Sequence, residues 1–81
     1  MTAYEMVAYL ESLPNGGLVE FDLDADTYYV AASDASYEAV SDSALRINGR
    51  TGYGTLALSR SSMLIDAGKV RYVRHIEEIP S

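Results

Sequence analysis

The chain has 81 residues, with 12 acidic and 6 basic side chains, one histidine and no cysteine, so its formal net charge is −6. Without cysteine there is no disulfide framework and no thiolate metal site. No apolar run approaches the roughly 20 residues of a membrane span, and no basic segment precedes an apolar one as in a signal peptide. These features lead us to expect one cytoplasmic domain over residues 1–81, or one in a host cytoplasm if the gene is a phage's. At 48% hydrophobic and 22% charged it reads as globular rather than disordered.

Thr2 and Glu5 have the spacing of a capping box. Ala3, Met6, Val7, Leu10 and Leu13 follow with helical spacing, and Pro14 with Asn15-Gly16-Gly17 stops the run. The pattern predicts a helix over 2–13 with its stripe in the core. In Leu18–Asp24, Val19, Phe21 and Leu23 alternate with Glu20, Asp22 and Asp24, as in a half-buried strand. Thr27–Ala32 is rich in strand formers, so the two runs predict an antiparallel hairpin.

Ser33-Asp34 reads as a helix start, and Tyr37, Val40 and Ala44 fit one helical face. Asn48-Gly49 is either the C-cap of that helix or a type I′ hairpin turn, and the reading favours a short helix followed by the hairpin. Thr55–Leu58, between glycines, predicts a strand. Asp66-Ala67-Gly68 suits a hairpin loop between 62–66 and a last strand over 69–76, and a helical turn over 60–67 is its rival. The expected fold is α+β, with an N-terminal helix, a second short helix and an antiparallel sheet of four to six short strands.

The charges are segregated. Residues 1–42 carry nine acids and no base, whereas residues 43–81 carry all six bases and three acids. Such asymmetry points to a charged partner or to self-association. It equally describes a fold whose halves interleave and neutralise each other. An acidic surface also suits a high-salt cytoplasm, where net charge maintains solubility.

Enzymatic chemistry has little to work with. His75 is the one imidazole, and it sits among Arg71, Arg74 and Glu77 without a nucleophile pattern. Asp22, Asp24 and Asp26 open like a calcium loop, but Thr27 and Ser33 stand where that loop needs glycine and glutamate. The glycines of Asn48–Gly54 match neither a P-loop nor a dinucleotide fingerprint. No enzyme, cofactor or metal site is therefore expected.

Glu20, Asp22 and Asp24 share one strand face at roughly 6.6–6.8 Å intervals, with Asp26 extending the row if the turn permits. Asp34, Glu38 and Asp42 would line one face of the second helix. Tyr28 and Tyr29 are neighbours on a strand, so at least one should lie outside the core. These nine residues form the candidate partner-binding set. Size and charge resemble the small acidic inhibitors of phages, including DNA mimics and anti-CRISPR proteins, and this resemblance is one of composition alone. It implies a non-enzymatic module that blocks a basic, often nucleic-acid-binding, protein surface. The alternatives are a self-assembling structural subunit, acidic half against basic half, and a nucleic-acid binder. The latter would use Arg60, Lys69, Arg71 and Arg74 of the C-terminal hairpin.

Overall fold

A computed structural model describes residues 1–77. Helix α1 spans Ala3–Glu11, and the capping box is formed. The Thr2 amide donates to the Glu5 carboxylate at 2.8 Å, and the Glu5 amide donates to the Thr2 hydroxyl at 3.1 Å. These bonds hold the Glu5 carboxyl below its ordinary value. Ala3, Met6 and Leu10 face the core. The helix stops two residues before Leu13, with Ser12 as its C-cap.

The expected first hairpin is present, as β1 (Leu18–Leu23) and β2 (Asp26–Ala31), in register from Leu18 opposite Ala31 to Leu23 opposite Asp26. The second helix is not. Ala32–Asp34 is a single 3-10 turn, and Ser36–Ala39 is a strand, β3. Serine and aspartate around this segment compete with helical backbone hydrogen bonding. Tyr37 and Ala39 instead pair opposite Ile47 and Leu45, adding two side chains to the core face.

Asn48-Gly49 makes neither a cap nor a turn, because it lies inside β4 (Ala44–Tyr53). Gly49 has φ +148°, and a Cβ there would stand 3.1 Å from Ala35 Cα. Glycine is thus present for a close backbone approach. The hairpin turn falls at 40–43, where the Val40 amide donates to the Ala44 carbonyl at 2.9 Å. Residues 55–58 form no strand. They are the loop from β4 to β5 (Ser59–Asp66), which pairs with β4 from Ala44–Asp66 to Thr51–Ser59. This loop folds onto Gly52, whose missing Cβ would meet the Thr55 carbonyl oxygen at 2.2 Å.

The last strand, β6 (Val70–Ile76), does not form a hairpin with β5. A 3-10 turn over Ala67–Lys69 intervenes, capped by Asp66, which accepts from the Gly68 amide at 2.8 Å. β6 pairs with β1 instead. β4 gives one edge to β5 and shares the other between β3 and β2, so the strands run β5-β4-β2-β1-β6 across the sheet, with β3 beside β2.

This order forces curvature. In a flat sheet β5 and β6 would lie four spacings apart, about 19 Å. The link from Asp66 to Val70 spans at most about 14 Å when fully extended. The sheet therefore curls, and its concave face collects Val19, Phe21, Leu23, Val30, Leu45, Ile47 and Ile65 against the helix residues Met6 and Leu10. Phe21 is the largest fully buried side chain. Phe21→Ala is expected to lower unfolding free energy by about 3–5 kcal/mol, read as a fall in the urea midpoint with the m-value retained.

Candidate functional site

Glu20, Asp22, Tyr29 and Glu38 lie on the convex face, alternating with core residues along their strands. Cross-strand partners in an antiparallel ladder point the same way, so Glu20 shares its face with Tyr29 of β2 and Arg74 of β6. Glu20 is only 5% exposed. Its carboxylate accepts from Arg74 Nη2 at 3.1 Å and from the Tyr72 hydroxyl at 3.1 Å. Asp22 follows on the same face and meets Arg71 Nε at 3.3 Å. The β1–β6 register shifts between Asp22 and Leu23, opposite Arg71, and such irregularities re-aim side chains.

The remaining acids of the row diverge. β1 ends at Leu23, so Asp24 lies exposed in the turn. Asp26 starts β2 and accepts a hydrogen bond from the Tyr53 hydroxyl. Tyr53 in turn packs edge-on against Tyr28, with centroids 4.9 Å apart. Tyr28 packs against the core while Tyr29 faces out beside Glu20, as strand alternation requires.

The second acidic set shares no helix face, because no helix exists there. Asp34 accepts from Arg50 Nε and Arg60 Nη2, each at 3.0 Å. Desolvation alone would raise its carboxyl, but the two guanidinium groups outweigh that and hold it below the ordinary value. Glu38 of β3 meets Arg46 of β4 at 3.1 Å. Asp42 is exposed in the 40–43 turn, and its carbonyl oxygen accepts from the Ala3 amide at 2.7 Å.

A single rule covers these contacts. Among the described residues every ion pair joins an acid of residues 1–42 to an arginine of residues 43–81, and all five arginines take part. The two halves therefore interleave. Of the residues of the alternative basic face, Arg60 lies on β5 against Asp34, Arg71 and Arg74 lie on β6 against Asp22 and Glu20, and Lys69 sits in the turn between those strands. His75 Nε2 lies 2.7 Å from the Gly16 carbonyl and ties the α1–β1 loop to β6.

Sequence reasoning missed Arg46 and Arg50. Their signal was the alternation of Leu45, Ile47, Gly49 and Thr51 with Arg46, Asn48 and Arg50, which the Asn-Gly pair concealed. Compared with known proteins, the chain matches no family, no curated protein and no solved structure.

Two outcomes test this electrostatic framework. Arg74→Ala leaves the buried Glu20 carboxylate to tyrosine hydroxyls, Tyr72 among them, without a cationic donor, and should cost about 1–3 kcal/mol. Arg46→Ala breaks a pair exposed on both sides and should change stability by no more than about 0.5 kcal/mol. Denaturant titration of both variants checks the contrast.

The tyrosines set the alkaline limit. Burial pushes the Tyr37 phenol up to about 12 from its ordinary value of 10.0. Hydrogen bonding to Asp26 raises Tyr53, and hydrogen bonding to Glu20 raises Tyr72. Above pH 10 the unfolded chain releases these protons before the folded one, so stability falls as pH rises. For Tyr37 the stabilisation is complete below pH 10 and is lost through about pH 12. Tyr37→Phe should flatten that decline in urea unfolding measured at successive pH values.

Proposed function

We propose that the protein is a non-catalytic interaction module that docks on a basic surface of a partner protein, in the manner of a small acidic inhibitor. The supporting observation is how charge is partitioned. The arginine-paired groups, five arginines with Glu20, Asp22, Asp34 and Glu38, sum to +1. With a total of −6, the surplus negative charge lies on carboxylates outside these pairs, among them the exposed Glu11, Asp24 and Asp42.

A surface of one sign steers encounter with an oppositely charged partner and suppresses like-charged ones. Exposed apolar side chains supply contact area between the charges. Tyr4 and Val40 lie on the two segments joined by the Ala3–Asp42 hydrogen bond. The partner class is a basic protein groove of the kind that binds nucleic acid, and occupancy of that groove is the inhibitory act. Of the seven acids among the candidate docking residues, Asp24 and Asp42 are the two without an arginine or tyrosine partner among the hydrogen bonds and ion pairs of the described residues, so their substitution tests the proposal.

Immobilised protein is expected to retain a basic protein from lysate at low salt and to release it as salt rises. The double variant Asp24→Asn, Asp42→Asn should retain several-fold less while unfolding at the same denaturant concentration. Retention unaffected by both salt and the double substitution would sink the proposal.

A further inference from the structure

The two outermost strands differ in how their free edges are protected. β6 carries a register irregularity in its pairing with β1, a feature that twists and blunts an edge. β5 is eight residues long, runs without a register shift along β4, and contains no proline and no lysine. Among the described residues its other edge pairs with nothing. Leu64, on the convex face of this strand, is 61% exposed.

We propose that this edge pairs with the β5 edge of a second copy of the chain, forming an antiparallel two-fold dimer centred on Met63. Charge complementarity along the edge favours a second copy as its partner. β5 has two charged residues, Arg60 near one end and Asp66 at the other, of opposite sign. With Met63 opposite Met63 of the second copy, Arg60 stands opposite Asp66 of that copy, and the symmetry makes the pair twice.

The register keeps even positions opposite even ones, so the convex and concave faces of the two sheets continue into each other. Ser62 then faces Leu64 across the junction. The two Leu64 side chains become diagonal neighbours, within reach of each other, and so gain cover that one copy does not give them. Neither charge is withdrawn from its present role. Asp66 accepts from Gly68 through Oδ1, leaving Oδ2, and Arg60 reaches Asp34 through Nη2, leaving Nη1 and Nε.

Sedimentation velocity over a micromolar-to-millimolar series is expected to show a monomer–dimer equilibrium in the full chain. Arg60→Asp and Asp66→Arg, each alone, set like charges opposite each other and should weaken the dimer by at least about tenfold. An equimolar mixture of the two variants restores both opposite-charge pairs and should recover dimer. Leu64→Lys, which leaves Asp66 and its turn untouched, should also shift the equilibrium to monomer. A wild-type chain that stays monomeric throughout the series overturns the proposal. So does a dimer whose constant is unmoved by Arg60→Asp and Leu64→Lys.

Discussion

The three-residue link between β5 and β6 is the constraint on which the rest of the structure depends. Because β6 pairs with β1 and Ala67–Lys69 cannot bridge a flat sheet, the sheet must curl until β6 reaches β1. That closure does two things at once. It makes an inside, where Phe21 and Ile47 can be fully buried in a short chain. It also carries the arginines of the last strand onto the acids of the first. The ladder that sets Val73 opposite Phe21 sets Arg74 opposite Glu20. Packing and electrostatics are consequences of one register, and a slip by one residue would lose both.

The ion pairs differ in weight. Arg46–Glu38 joins two exposed side chains, and pairs of this kind contribute little. Arg74–Glu20 differs because the carboxylate side chain is 7% exposed. A buried carboxylate is costly to leave without donors, so the need for Arg74 and Tyr72 is what specifies the β1–β6 register on the convex face. Asp22 with Arg71, and Asp34 with Arg50 and Arg60, fall between these two cases, their carboxylate side chains being 17% and 32% exposed. In sum they let a chain with nine acids in its first half bring those acids against one sheet.

Legibility in the sequence followed locality. The capping box of Thr2 and Glu5, the alternation of Leu18–Leu23 and the Asp24-Ala25 turn are decided within a few residues, and each element forms close to where its pattern lies. The second helix failed because the fate of Ser36–Ala39 was decided by an edge of β4 some eight residues on, offering Leu45 and Ile47 as partners. Asn48-Gly49 failed for a related reason. The signal was a glycine requirement, but its cause is the approach of Ala35 from another segment. The acidic row was visible, and so were the arginines. What the one-dimensional pattern could not convey is that β6 lies beside β1, which turns an apparent docking row into an internal network at Glu20 and Asp22.

The same partition of charge bears on whether an acidic protein can associate with itself. Net charges of −6 on two copies repel, which by itself disfavours an edge-to-edge dimer. Distance decides otherwise. At physiological ionic strength the Debye length is about 8 Å. Carboxylates such as Glu11 lie on other elements than β5, outside the paired edges. Groups facing each other across a strand spacing of about 4.8 Å interact almost unscreened by comparison. The local complement of Arg60 and Asp66 therefore outweighs the global repulsion, while the global surplus still governs encounter with a basic partner. Because the paired arginines cancel the acids nearest the sheet, the long-range field comes from the turns and the helix, while on β5 Asp66 and the unshared Nη1 and Nε of Arg60 remain to meet a second copy.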